Sequence, residues 1–140
     1  MKRIGYRDRI IDKRIDLYLS TFGAVCIEGP KWCGKTWTSL AHAKSAYMIA
    51  DPSDNFANRE LARLDVSKAL EGVNPHLIDE WQEVPAIWDA VRFCADEDSK
   101  CGRFILTGSS TPVVKGVVHS GTGRIARLPM HPMSRARQRI

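Results

Sequence analysis

Long apolar runs are missing from this sequence. No stretch approaches the ~18 apolar residues that a transmembrane helix needs. The first eight residues are charged and contain no apolar segment typical of a secretion signal. We therefore expect no membrane partner and a cytoplasmic location.

Metal-type cysteine pairs are missing as well. The chain has four cysteines, Cys26, Cys33, Cys94 and Cys101. The last two are seven residues apart, which fits no common zinc spacing. The histidines are scattered, at positions 42, 76, 119 and 131. This pattern predicts free thiols in a reducing compartment, with Cys26 and Cys94 in the core.

Features typical of nucleic-acid recognition are scarce. The net charge is +5, and the excess positive charge lies mainly at the two ends, in residues 2–14 and 124–139. Near the first end, apolar residues recur at helical spacing (Ile11, Ile15, Tyr18 and Leu19), which favours a solvated amphipathic helix over a DNA-binding surface. The tail has arginines but no interleaved aromatic residues to stack bases. A nucleic-acid partner stays open for the tail, as does simple disorder.

One motif that is present is a complete phosphate-binding loop, G-x-x-x-x-G-K-[ST]. Its residues are Gly29, Pro30, Lys31, Trp32, Cys33, Gly34, Lys35 and Thr36. Backbone N–H groups of such a loop wrap a polyphosphate, Lys35 adds positive charge for the β and γ phosphates, and the Thr36 hydroxyl is placed to bind Mg²⁺. An apolar run at 22–27 predicts a buried strand before the loop, and 36–46 is compatible with a helix after it.

A second motif is an apolar run that ends in two acids. His76 begins a short run that reaches Asp79 and Glu80. A buried strand here would deliver Asp79 to the metal and Glu80 to the attacking water. The adjacent pair favours hydrolysis over kinase chemistry, because a kinase needs no water-activating base. The alternative is that both acids are solvated and cap the helix that starts at Pro85.

A third motif is the apolar run at 103–106, followed by small hydroxyl residues. Thr107 or Ser109 could sense the γ-phosphate or the attacking water if this strand lies between the phosphate-loop strand and the Asp-Glu strand. The alternative is an ordinary strand-to-turn transition, which is often rich in glycine and serine.

The remaining pattern alternates helices and strands. Further strands are predicted at 47–50 and 125–129, and helices at 55–71 and 85–97. Five strands alternating with helices predict an α/β three-layer sandwich with a mostly parallel sheet. Trp81 and Trp88 are better explained by core packing than by base stacking. Residues 116–123 predict a mobile loop.

These motifs resemble those of a large family of prokaryotic AAA-like P-loop ATPases, whose members usually continue into a C-terminal domain of poorly defined role. The segments that carry the resemblance are 28–36, 79–85 and 106–110, with 9–12 near the start and 123–124 and 129–134 near the end of the core. The resemblance implies a hydrolytic P-loop sheet in which the third strand lies away from the first. Because similar ATPases act as assemblies, it also implies a possible homo-oligomer, with Arg124 as a candidate arginine finger.

The expected organisation is an N-terminal helical segment at 1–21, a P-loop ATPase core at 22–133 and a basic tail at 134–140. The expected function is Mg-ATP binding and hydrolysis, coupled to a partner or to a C-terminal domain. GTP is disfavoured because the sequence has no Asn-Lys-x-Asp segment. The alternatives are a nucleotide-gated binding module without turnover, or a small-molecule kinase.

Overall fold

The computed structural model describes residues 10–30, 34–98, 100–109 and 125–130. Helices and strands alternate along these residues. In chain order they are α1 (Ile10–Leu19), β1 (Ala24–Glu28), α2 (Lys35–His42), β2 (Ser45–Met48), α3 (Ser53–Leu64), α4 (Ser67–Leu70), β3 (His76–Asp79), a 3₁₀ helix (Trp81–Glu83), α5 (Ala86–Asp98), β4 (Phe104–Gly108) and β5 (Ile125–Pro129).

The five strands found in the described residues form one parallel sheet in the order β2-β3-β4-β1-β5. Strand β4 lies between β1 and β3, as the sequence predicts. The carboxyl ends of parallel strands meet at one edge of a sheet. The ends of β1, β3 and β4 therefore bring the phosphate loop, the Asp-Glu pair and the hydroxyl residues to the same edge.

Helices cover both faces of the sheet. Alternate residues of β1 enter different cores: Ala24 and Cys26 pack with residues of α3, α4 and α5, whereas Val25 and Ile27 pack with residues of α1 and α2. A strand buried on both faces explains why β1 is apolar throughout rather than alternating. The three-layer α/β sandwich is confirmed.

Several predicted packing roles are also confirmed. Ile15 of α1 is fully buried, and Ile11 packs partly buried against the same core, so α1 is the amphipathic helix that its spacing predicts. Trp81 and Trp88 are both buried, with ring centroids 4.9 Å apart, which makes them core residues. Cys26 is also buried.

The largest differences from the predicted element boundaries are at α2 and at the predicted helix 55–71. Helix α2 stops at His42 because Ala43 adopts an extended backbone (φ −98°, ψ 150°), and β2 then starts two residues earlier than predicted, at Ser45. The predicted helix at 55–71 is divided at Asp65 into α3 and α4. Asp65 accepts hydrogen bonds from the backbone N–H (3.1 Å) and the hydroxyl (2.6 Å) of Ser67, a local cap that competes with a continuous helix.

None of the helices in the described ranges has both the length and the apolar character required to cross a membrane. Several predictions fall on residues outside those ranges. They concern the first nine residues of the N-terminal segment, residues 31–33 of the phosphate loop, the loop at 116–123, Arg124 and the basic tail at 134–140.

Candidate functional site

The site begins where the phosphate loop passes into α2. Gly34 has φ 90° and ψ 18°, a left-handed conformation that glycine adopts readily and other residues rarely adopt. The helix starts at Lys35, and the Thr38 N–H donates to the Gly34 carbonyl at 3.0 Å. The second glycine of the motif is therefore required by the backbone, and it places the start of α2 at the carboxyl edge of the sheet.

The Lys35 side chain is folded into this edge. Lys35 is only 7% exposed, and its Nζ donates a hydrogen bond to the Pro30 carbonyl at 3.2 Å. Pro30 itself is exposed, whereas Gly29 is buried and its N–H donates to the Gly108 carbonyl at 3.2 Å. The ammonium thus lies across the loop, while the first glycine ties the loop to β4.

Asp79 joins the phosphate-loop helix to strand β4. Its Oδ1 accepts a hydrogen bond from the Thr36 hydroxyl at 2.9 Å and another from the Thr107 hydroxyl at 2.7 Å. Asp79 is 7% exposed, so it is not the solvated cap of the alternative interpretation. Three distant parts of the chain, at residues 36, 79 and 107, therefore meet at one oxygen atom.

The Thr107 hydroxyl also holds the turn that follows β3. It accepts a hydrogen bond from the Glu80 N–H at 2.9 Å while donating to Asp79. Glu80 has φ 60° and ψ 52°, which costs free energy for a residue with a side chain. Thr107 is fully buried. The hydroxyl therefore stabilises a strained backbone at the residue proposed from sequence as the base.

The Glu80 carboxyl is half-buried, and burial raises its pKa above the ordinary glutamate value. The negative charge of Asp79 raises the pKa further. Lys35 and a hydrogen bond from the Gln82 side chain act in the opposite direction. A carboxylate with a raised pKa is a stronger base than an ordinary surface glutamate.

Ser109 lies beyond β4 on the same edge. The Gln82 amide nitrogen is 3.5 Å from the Ser109 hydroxyl oxygen, a long contact, and the same amide is close enough to Glu80 to influence its pKa. Gln82 therefore lies between the Asp-Glu turn and the hydroxyl strand. Sequence reasoning missed it, although its place two residues after Glu80 was a usable signal.

A second missed contact joins β5 to the end of β1. Arg127 of β5 donates to the Glu28 carboxylate, and its guanidinium carbon is 4.5 Å from the centre of the Trp88 ring. Glu28 is the last residue before the phosphate loop. The contact ties the start of the loop to β5 and α5, and only the parallel pairing of β1 with β5 reveals it.

A family model described as an AAA domain matches residues 21–137. The chain belongs to this AAA domain family. It is also similar to an uncharacterized protein of Mycobacterium tuberculosis and to one of Mycobacterium bovis, each 32% identical over 104 residues. The aligned part covers 72% of this chain and 23% of each relative, so the chain spans about a quarter of the length of these relatives.

Two residues of this AAA domain have the oxygen ligands that a magnesium ion needs. Mg²⁺ prefers oxygen ligands and is usually held by one or two protein groups together with substrate phosphates and water. The Thr36 hydroxyl and the Asp79 carboxylate provide such oxygens side by side. Within the described residues, no group of three or more histidine, cysteine, aspartate or glutamate residues could hold a metal by itself.

The structure thus brings together at one edge of the sheet the residues Gly29, Pro30, Gly34, Lys35, Thr36, Asp79, Glu80, Thr107 and Ser109. The other residues predicted for the site lie outside the described residues, namely Lys31, Trp32 and Cys33 of the loop and the candidate finger Arg124.

Proposed function

We propose that this AAA domain binds Mg-ATP and hydrolyses it, and that its nucleotide state is passed to a partner or to a further domain. The observation that carries the proposal is the meeting of Thr36 and Thr107 on Asp79 Oδ1. A P-loop ATPase needs its loop helix, its metal carboxylate and its sensor strand at one point. Those three elements are hydrogen-bonded to one another here.

Binding of the phosphates is assigned to the loop amides and to Lys35. The positive end of α2 and the buried ammonium both favour an anion at this edge. Thr36 and Asp79 would hold Mg²⁺, which supplies charge neutralisation for the phosphate oxygens. Thr36 uses its only hydroxyl hydrogen on Asp79, so its oxygen lone pairs face away from that bond and are available to a cation.

Glu80 is assigned the role of base. It accepts a proton from a water molecule as the water oxygen bonds to the γ-phosphorus and the bond from that phosphorus to the β–γ bridging oxygen breaks. The products are ADP and inorganic phosphate, and the electron pair of the broken bond leaves with ADP. The raised pKa of Glu80 supports this role, because it strengthens the base.

The hydroxyl residues divide into two roles. Thr107 is fully buried and has its hydrogen on Asp79, so we assign it the positioning of Asp79 and Glu80. Ser109 lies further along the same strand end, next to Gln82, and is the better candidate for sensing the γ-phosphate. Both assignments refine the sequence-based prediction, which left Thr107 and Ser109 as alternatives.

Two substitutions separate binding from turnover. Lys35→Ala removes a contact made to the bound phosphates and should abolish ATP binding. Glu80→Gln keeps the size of the side chain but removes the base, so it should bind ATP like the parent and lose about 10²- to 10⁴-fold in rate. Equilibrium ATP binding and single-turnover phosphate release, both with Mg²⁺, measure the two effects.

The matched control is Glu83→Gln, because Glu83 lies in the same 3₁₀ helix and its carboxylate is 3.4 Å from Arg59 Nη1. It should bind and hydrolyse ATP nearly as the parent does. Turnover by Glu80→Gln at the parent rate would show that Glu80 is not the base. If the parent binds ATP but releases no phosphate, the protein is a nucleotide-binding module. If the γ-phosphoryl group is transferred only when an acceptor molecule is added, the protein is a kinase.

We further propose that the active form is a homo-oligomer in which Arg124 reaches the nucleotide of a neighbouring copy. Removal of such an arginine costs roughly 10³- to 10⁵-fold in rate in other P-loop enzymes. Specific activity should then rise with protein concentration in the parent and stay low in Arg124→Ala. Constant specific activity over a wide concentration range, together with an active Arg124→Ala, contradicts the proposal.

A further inference from the structure

The side chain of Gln82 contains a buried oxygen without a partner. Within the described part of the chain, Oε1 has no hydrogen-bond partner, although the atom is closed off from bulk solvent. A buried acceptor left unpaired costs about 1–3 kcal/mol. Such an atom in an active-site candidate points to a ligand or a water molecule that supplies the missing donor.

The surroundings of Gln82 orient this oxygen. Its amide nitrogen faces the Ser109 hydroxyl at 3.5 Å, and the same side chain lowers the pKa of the Glu80 carboxyl, so the amide lies between the base and the sensor candidate. Gly108 makes the approach possible, because a Cβ atom there would lie 3.0 Å from Oε1. The neighbouring Trp81 is buried against Trp88, which anchors the 3₁₀ helix that carries Gln82.

The missing partner of the Gln82 oxygen must be a hydrogen-bond donor. An amide oxygen only accepts hydrogen bonds, so an ionised phosphate, which also only accepts, cannot satisfy it. A water molecule has two hydrogens. One can go to the Glu80 carboxylate and the other to the Gln82 oxygen, which would fix the orientation of the water molecule and turn a lone pair toward a third group.

We propose that Gln82 orients the attacking water together with Glu80, by accepting the second hydrogen of that water through Oε1 while its amide nitrogen holds Ser109. The inference rests on the proposed hydrolysis of ATP. Orientation of the nucleophile acts in the transition state, so Gln82 should contribute little to nucleotide binding in the ground state.

The test uses Gln82→Met, which keeps the length of the side chain and removes both polar atoms. ADP alone measures ground-state binding, and ADP with aluminium fluoride measures binding of a mimic of the transferring phosphoryl group and its water. The variant should bind ADP within about twofold of the parent, and the ADP–aluminium fluoride complex about tenfold or more weakly, as expected for one lost hydrogen bond.

The unfolding temperature of the nucleotide-free protein distinguishes a role in orienting water from a structural role for Gln82. The variant removes an unpaired buried acceptor together with the long amide contact to Ser109, two effects of opposite sign, so the nucleotide-free protein should unfold at nearly the same temperature as the parent. Glu83→Met is the matched control in the same 3₁₀ helix, and it should leave both affinities near those of the parent.

Each outcome of these measurements either supports the inference or overturns it. Equal losses for ADP and for ADP–aluminium fluoride, or a clear fall in the unfolding temperature, would show that Gln82 is structural and overturn the inference. So would a variant that keeps the affinity of the parent for both ligands, or a parent that does not bind the mimic more tightly than ADP. A parent that binds no nucleotide at all refutes the proposed function, and the inference with it.

Discussion

Replacing Thr107 with valine removes one hydroxyl from a fully buried position and changes the shape of the side chain very little. Two hydrogen bonds are lost together, from the hydroxyl to Asp79 Oδ1 (2.7 Å) and from the Glu80 N–H to the hydroxyl (2.9 Å). A hydrogen bond to an ionised group contributes about 1.5–3 kcal/mol, and a buried N–H left unpaired costs about 1–3 kcal/mol. Because Glu80 is only half-buried, water relieves part of the second cost, so we expect a loss of about 2–4 kcal/mol.

The matched control is Thr107→Ser, which keeps the hydroxyl and removes only a methyl group. That change should cost about 1 kcal/mol, through lost apolar burial and a small cavity. Urea unfolding of the nucleotide-free chain measures both values, from the shift in midpoint at unchanged slope. If Thr107→Val is no less stable than Thr107→Ser, the hydroxyl does not hold the Asp79–Glu80 turn, and the positioning role of Thr107 is wrong.

Three further predictions concern the pH dependence of stability, the packing around Gly108 and the reactivity of the Cys33 thiol. Burial lowers the pKa of His76 below its unfolded value of about 6.5. The unfolded chain therefore takes up the proton first, so stability should fall as the pH drops from about 6.5, and His76→Gln should show a shallower fall in its urea midpoint. Gly108→Ala should destabilise the fold by about 1–3 kcal/mol in urea unfolding, because the new Cβ would lie 2.7 Å from Trp81 Nε1. Cys33, whose sequence neighbours predict a lowered pKa, should be alkylated faster than buried Cys26 and more slowly with Mg-ATP, as mass spectrometry of the loop peptide would measure. Equal labelling with and without nucleotide contradicts the last of these.

Much of the fold follows from the sequence because its signals are local. Strands β1, β3 and β4 are short, mostly apolar runs, and the phosphate loop indicates which strand and helix are joined. The resemblance to P-loop ATPases predicted that β4 separates β1 from β3, and that order brings Thr36 and Asp79 together. Where a motif specifies both a residue and its neighbours in the fold, the sequence is sufficient to predict their contact.

Two of the features that were not predicted depend on contacts between distant parts of the chain. The contact of Arg127 with Glu28 requires the pairing of β5 with β1, and no spacing in the sequence indicates it. The role of Gln82 depends on an atom that lacks a partner, which only coordinates reveal. The division of the predicted helix at Asp65 arose from a side-chain cap that competes with helix propensity, so a pattern of apolar residues alone could not locate it.

The central claim is that Thr36 and Asp79 form the magnesium point of an ATP site. It is tested most directly by titrating ATP into the parent and into Asp79→Asn, by calorimetry, with Mg²⁺ and with a chelator. We expect the parent to bind ATP about tenfold or more tightly with Mg²⁺, and Asp79→Asn to lose most of that difference while still binding ATP, because Lys35 and the loop amides remain. Absence of ATP binding by the parent, or equal affinity with and without Mg²⁺, would contradict the account.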